Sequence, residues 1–117
     1  MKVEIPAQPQ RDSGPGDALL AKFIRGLGDP TRLQIVRYLL DGPQTVSAIV
    51  AHVAAPQSRV SNHLACLKWC GYVSTERQGR SIAYNIADDR VREIIALARS
   101  IATDNAEHVA SCMRIAE

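Results

Sequence analysis

Two cysteines, Cys66 and Cys70, are the residues of this 117-residue sequence whose type and spacing most clearly indicate chemistry. On a helix, residues four positions apart lie on one face, with their Cβ atoms about 6 Å apart. Two thiolates at that spacing can bind one soft or borderline metal ion, which they prefer to calcium or magnesium. The pair therefore predicts a site for a thiophilic metal, although a cysteine can also serve simply as a small buried residue.

A redox switch is the main alternative use of this pair. Cys70 lies near the predicted end of a helix, where the helix dipole disfavours a thiolate and makes the thiol a poor nucleophile. Lys68 offsets part of this effect. A metal ion can displace the thiol proton regardless, with an affinity that falls as the pH falls. The chemistry therefore favours metal binding over redox sensing.

A second group of candidates precedes the cysteines on the same predicted helix. Hydrogen-bonding side chains fill its first turns, where a recognition helix needs them to reach base edges and phosphates. They are Gln57, Ser58, Arg59, Ser61, Asn62 and His63. Arg77 and Arg80 belong to a predicted hairpin turn, placed to contact the phosphate backbone. Together these residues predict a surface for double-stranded DNA; the alternative is an ordinary solvated helix face.

The elements that position these residues follow from hydrophobic periodicity and capping signals. Residues 1–16, rich in Pro, Gly and Gln, predict a flexible N-terminal arm, and residues 17–117 predict one folded domain. Five helices are predicted, with starts at Asp17, Asp29, Thr45, Pro56 and Asp88–Asp89. The fourth helix is predicted to end at Gly71, and the last helix is predicted to be long. Strands are predicted at 72–76 and 81–86, with a turn at 77–80. This order is typical of a mainly α winged helix-turn-helix with a small β-hairpin.

The composition agrees with such a domain. A hydrophobic content of 46% excludes general disorder, and an aromatic content of 4% requires an aliphatic core. No apolar run approaches the ~20 residues that span a membrane, so we expect no membrane contact and a cytoplasmic protein, in which a disulfide framework is not expected. The net charge of +2 does not by itself argue for nucleic acid.

From Leu27 to Ile86 the chain resembles the ArsR/SmtB family of metal-sensing transcriptional repressors. Three stretches carry the resemblance, in the expected order: Leu27-Gly28-Asp29-Pro30-Thr31-Arg32, then Val60-Ser61-Asn62-His63-Leu64, then Gly79-Arg80 through Tyr84. They are similar to the family's A-D-P-T-R turn, its V-S-x-H-L recognition helix and its G-R-x-x-x-Y wing. The resemblance implies a homodimer, paired through the first and last helices, that binds operator DNA and is not an enzyme.

Two metal sites found in that family look incomplete in this chain. The positions that correspond to paired thiols in the third helix are Thr45 and Ser47, and neither is a thiol. A zinc site between the final helices would need ligands at Arg90 and Ile101, which cannot supply them.

A third site does match. Cys66-Leu67-Lys68-Trp69-Cys70-Gly71 resembles the C-x-x-x-C-G sequence of the family's cadmium/lead sensors, in which the other subunit's C-terminal region adds a third thiol. Cys112 lies a comparable distance downstream, and Glu107 and His108 nearby could assist. Three sulfurs suit trigonal lead or arsenite, cadmium would want a fourth donor, and mercury is also compatible. Zinc usually takes four ligands and is not favoured.

The resemblance therefore implies a repressor that releases its operator when cadmium or lead binds, with mercury and arsenite as alternative ions. Two other functions stay open: a redox-sensing repressor of the same fold, and a winged helix that contacts only proteins. An enzyme is the least favoured. His63 and Cys66 share a helix face, but no orienting third group or oxyanion site accompanies them.

Overall fold

The structure, a computed structural model, describes Gly14 and residues 16–115, so the predicted arm lies almost wholly outside the described residues. The described elements are, in chain order, α1 (Asp17–Arg25), α2 (Pro30–Leu39), β1 (Gln44–Thr45), α3 (Val46–Val53), α4 (Gln57–Trp69), β2 (Val73–Gln78), β3 (Ser81–Ile86), α5 (Asp89–Asp104) and α6 (Ala106–Ser111). The strands form an antiparallel sheet in the order β1-β3-β2. Among the described helices, none is long and apolar enough to cross a membrane.

Three of the predicted helix starts are confirmed by side-chain caps. The carboxylate of Asp29 accepts a hydrogen bond from the Arg32 backbone N–H at 3.0 Å, ahead of Pro30 at the first helical position. Thr45 caps α3, and Asp88 caps α5. Each cap satisfies a backbone donor that has no partner within its helix. The prediction at α1 is wrong: Gly16 is the N-cap and Asp17 is the first helical residue.

The turn between α3 and α4 is short because Ala54 adopts a left-handed conformation, with φ 55°. Its N–H donates to the Val50 carbonyl at 2.9 Å, which ends α3. Pro56 then serves as the N-cap of α4. The turn orients α4 across α3, as a helix-turn-helix requires.

The core lies where α2, α3 and α4 pack on one another and on the sheet. Its fully buried aliphatic side chains are Ile35, Val36, Leu39, Ile49, Val60, Leu64 and Leu67. Helix α5 joins this core through Val91 and Ile95. Helix α1 buries no residue, and its Leu19 and Ile24 are 60% and 59% exposed. The described chain therefore presents apolar surface on α1 that it does not cover.

Three other features differ from the predictions. Strand β1, a two-residue segment paired with β3, was not predicted. The hairpin strands are longer than predicted, because Arg77 pairs with Ile82 inside the sheet. The turn therefore contains only Gly79 and Arg80. The final helix is interrupted at Asn105, whose side-chain amide donates to the Ile101 carbonyl at 2.9 Å. The segment is thereby divided into α5 and α6, although the Asn105 backbone N–H still donates to the Ile101 carbonyl at 3.1 Å.

Candidate metal centre and nucleic-acid interface

Cys66 and Cys70 lie at the C-terminal end of α4, on one helix face as predicted. Cys66 is within the helix, and Cys70 is its C-cap, with an N–H that donates to the Cys66 carbonyl at 3.0 Å. Both residues are exposed. The helix thus brings two thiols together where an ion in solution can reach them.

The surroundings of the pair favour the protonated thiol at Cys70. Partial burial of its sulfur raises the pKa of Cys70, and the nearby charge of Cys66 and a hydrogen bond with that thiol raise it further. The positive charges of Lys22 and Arg32 oppose the shift without cancelling it. A raised pKa makes Cys70 a poor nucleophile, so the pair is better suited to a metal that displaces the proton than to peroxide sensing.

An aromatic pair connects the cysteine end of α4 to α1. The phenol of Tyr72 donates a hydrogen bond to the Phe23 carbonyl at 2.6 Å, and the two rings stack with centroids 4.6 Å apart. Burial raises the pKa of Tyr72 to about 12, with smaller effects of Cys70 and Cys66, so the phenol remains a donor at neutral pH. On the other side of Cys70 an open groove of about 470 Å³ runs between α1 and Trp69.

Cys112 is not brought to the other two thiols. It follows α6 and is partly buried, and no group of three or more His, Cys, Asp or Glu side chains in the described part of the chain could hold a metal ion. The third predicted ligand would have to come from a second copy or from a movement of the C-terminal segment. At the position of the family's zinc site, Arg90 instead forms an ion pair with Asp88 at 2.6 Å.

Most of the predicted DNA-contacting residues are exposed. Buried Val60 and Leu64 fix the rotation of α4, so five polar residues in its first turns face away from the core. The exposed ones are Gln57, Ser58, Arg59, Ser61 and Asn62. Arg77 and Arg80 are exposed at the end of the hairpin, which we call the wing. The surface can offer hydrogen bonds from α4 and two positive charges from the wing.

His63 differs from its neighbours because its side chain is only 16% exposed. Its Nδ1 lies 3.4 Å from the Arg32 guanidinium, and its Nε2 lies 3.8 Å from the Asp29 carboxylate. A backbone hydrogen bond from Arg32 holds the pKa of Asp29 below its usual value, helped by the charges of Arg32 and His63. The structure therefore gives His63 contacts that position α4 against α2, and the DNA contact predicted for it stays a prediction.

Arg32 is a residue whose role the sequence did not reveal. Its Nε donates to the Gly26 carbonyl at 2.8 Å and its Nη2 to the Arg25 carbonyl at 3.1 Å. These carbonyls lie at the C-terminal end of α1, where a helix leaves acceptors without partners. Together with the His63 contact, Arg32 links α1, α2 and α4. The signal available in the sequence was its place in the Asp29-Pro30-Thr31-Arg32 stretch.

Known proteins resemble this chain over most of its length. Residues 29–75 match the family described as bacterial regulatory protein, arsR family. A probable mercury resistance operon repressor of Streptomyces lividans is 45% identical over 95 residues, which cover 81% of this chain and 76% of that protein. The HTH-type transcriptional regulator CmtR of Mycobacterium tuberculosis is 37% identical over 102 residues, covering 81% of this chain and 86% of that protein.

Solved structures of similar proteins show which fold this chain shares. The homodimeric winged helix-turn-helix DNA-binding domain Mb0332 of Mycobacterium bovis matches with a TM-score of 0.70 at 32% identity, covering 82% of this chain and 94% of that one. The cadmium metal-sensor CmtR of M. tuberculosis matches with a TM-score of 0.57 at 39% identity, covering 65% of this chain and 79% of that one. The predicted winged helix-turn-helix fold is confirmed.

Proposed function

Because this chain belongs to the ArsR family of bacterial regulatory proteins, we propose that it is a homodimeric transcriptional repressor that releases operator DNA when it binds a thiophilic metal ion. Cys66 and Cys70 of one subunit and Cys112 of the other would bind the ion. The contacts with DNA would come from Gln57, Ser58, Arg59, Ser61, Asn62, His63, Arg77 and Arg80. A repressor of this kind would act in the cytoplasm.

The observation that carries the proposal is that one helix holds both candidate sites. Exposed polar residues at positions 57–59, 61 and 62 occupy the first turns of α4, and Cys66 and Cys70 lie at its other end. With a rise of 1.5 Å per residue, Asn62 and Cys66 are separated by only about 6 Å along the helix axis. A displacement of the cysteine end is therefore felt at the DNA-facing end of the same rigid element.

Exposed apolar surface on α1 and α5 supports the homodimer. Ile24 on α1 and Ile94 and Ala98 on α5 line an apolar cavity of about 410 Å³. Beside it, Leu97 and Ile101 are 59% and 62% exposed. A contiguous patch of this kind is normally covered by a partner, because burial contributes about 25 cal/mol per Å² of apolar surface. Pairing two copies would present two α4 helices to successive major grooves, roughly 34 Å apart.

The donor set supports a soft metal ion. Thiolates select cadmium, lead, mercury or arsenite over hard cations, and three sulfurs suit lead and arsenite without a further ligand. Two relatives are named for mercury and for cadmium. We take cadmium and lead as the first candidates for the inducer, with mercury and arsenite as the ions to compare.

Coupling between the two sites would run through α4. Joining Cys66 and Cys70 to Cys112 of the partner subunit pulls on the C-terminal end of the helix. The contacts of His63 with Asp29 and Arg32 hold the middle of α4 against α2, so a pull at one end tilts the other. An allosteric coupling of about 1–3 kcal/mol would lower the affinity for DNA by about 5- to 150-fold.

The test is a titration of metal into the protein–DNA complex. An operator duplex is first selected from a random pool with the metal-free protein. Its fluorescence anisotropy is then followed as cadmium, lead, mercury or arsenite is added. Cys66→Ser and Cys70→Ser should bind the duplex as the natural protein does but fail to release it. Ala65→Ser, an exposed substitution on the same helix, is the matched control and should respond normally.

Three results would overturn the proposal. If none of the four ions changes the affinity of the natural protein for its duplex, the chain is not a metal-responsive repressor of this type. If both cysteine variants still release DNA, the metal acts at another site. Failure to bind any duplex at low salt would instead favour a winged helix used for protein contacts.

A further inference from the structure

We propose that segment 109–115 of a second copy docks into the groove beside Cys70 before any metal binds, and that this contact brings Cys112 to the site. We call this groove, lined by Leu19, Leu20, Lys22, Phe23, Trp69 and Cys70, the α1–α4 groove. The inference deepens the proposed function and rests on it for the homodimer and for Cys112 as a ligand. Docking by apolar contacts is a separate step from metal capture.

The α1–α4 groove is an apolar surface that its own chain leaves open. Its volume is about 470 Å³, and Cys70 forms part of its wall. The indole of Trp69 is 92% exposed, and Leu19 and Leu20 are 60% and 47% exposed. Aromatic and aliphatic side chains grouped at this exposure are characteristic of a contact surface.

Segment 109–115 is the complementary feature at the other end of the chain. Helix α6 follows α5 directly in the chain and has no buried residue. Val109, Met113 and Ile115 are 53%, 96% and 68% exposed, and Cys112 lies among them. The chain thus has a short apolar segment that contains the Cys112 thiol and a groove that is lined in part by Cys70. Within one copy, the segment does not line the groove.

The position of the groove favours a second copy as the source of this segment. Leu20 lines the groove, whereas Ile24, four residues later on α1, lines the cavity of the proposed dimer face. The two surfaces are therefore continuous around one short helix. In a copy that pairs through α1 and α5, the C-terminal segment continues directly from the paired α5.

Docking has a consequence for metal affinity. A thiol already held beside the other two binds at a high effective concentration, whereas a free segment must be ordered when the metal binds. Burial of one large apolar side chain typically changes an equilibrium by about tenfold or more. Replacing Met113 and Ile115 with serine should therefore weaken metal binding by about 10- to 100-fold although no ligand is removed.

Trp69 provides the probe, because it is the one tryptophan of the chain. Acrylamide quenching of its fluorescence is measured on the metal-free, full-length dimer. We expect a protected indole in the natural protein and an accessible one in the Met113→Ser/Ile115→Ser variant. Cys112→Ser should keep the protection while it loses the metal response. Val3→Ser/Ile5→Ser, with as many apolar residues changed at the other end of the chain, is the matched control and should stay protected.

Three results would overturn the inference. The indole could be as accessible in the natural protein as in the Met113→Ser/Ile115→Ser variant, or the protection could depend on Val3 and Ile5 instead, which would make the N-terminal segment the occupant. The double variant could also bind metal as tightly as the natural protein. None of these results touches the release of DNA by metal, which tests the proposed function separately.

Discussion

Replacing Arg32 with lysine is expected to loosen α1 and α4 from α2. The guanidinium donates to the carbonyls of Gly26 and Arg25 at 2.8 and 3.1 Å and lies 3.4 Å from His63. Lysine keeps the charge, but a single ammonium on a flexible stem cannot occupy all three positions at once. A hydrogen bond to a charged group contributes about 1.5–3 kcal/mol, and partial exposure here lowers that value. We therefore expect Arg32→Lys to lower the free energy of unfolding by about 1–2 kcal/mol.

The measurement is urea unfolding at one fixed protein concentration, because dimerisation makes apparent stability concentration-dependent. Arg80→Lys is the matched control, since Arg80 is exposed in the wing and forms no ion pair in the described structure. Its effect should stay within about 0.5 kcal/mol. If the two substitutions shift the unfolding midpoint equally, the linking role of Arg32 is refuted.

The remaining predictions concern the close approach of α1, the cap of α5 and the wing. A Cβ at Gly26 would lie 2.8 Å from the Tyr72 ring, so Gly26→Ala should lower the free energy of unfolding by about 1–3 kcal/mol in urea. Hydrogen bonds from Arg90 lower the pKa of Asp88 to about 2 from 3.8, so its stabilising effect is complete above about pH 4 and lost as the pH falls towards 2. Asp88→Asn should remove that part of the pH dependence of thermal stability. Arg77→Ala should weaken binding to every duplex tested and lower the slope of log affinity against log salt by about 1.

Each of these has a contradicting result. A Gly26→Ala protein of unchanged stability would mean that Tyr72 gives way without cost. If the thermal stability of Asp88→Asn falls at low pH as that of the natural protein does, the Arg90 contact does not persist in solution. A loss confined to one duplex sequence in Arg77→Ala would argue against a phosphate contact.

The parts of the fold that local signals determine were predictable from the sequence. The caps Asp29, Thr45 and Asp88 bond to backbone groups two or three residues away, so the sequence alone specifies them. The convergence of Cys66 and Cys70 follows from helical geometry in the same way. The gap at Asn105 was missed because the apolar stripe continues past it, and hydrophobic periodicity does not register a local side-chain bond.

The contacts that link distant segments were not predictable in this way. Arg32 and His63 are 31 residues apart, and Phe23 and Tyr72 are 49 residues apart. The contacts of His63 with Arg32 and Asp29 arise only once α2 is placed against α4. The two-residue strand β1 forms only because β3 lies beside it. The α1–α4 groove likewise exists only once both helices are packed.

The central claim is that DNA binding and metal binding are coupled through α4, and thermodynamic linkage tests it most directly. Metal affinity is measured by competition with a chelator, first for the free protein and then for the protein saturated with its operator duplex. If α4 couples the two sites, DNA weakens metal binding by the same factor as metal weakens DNA binding, about 5- to 150-fold. Equal metal affinities in the presence and absence of DNA would contradict it.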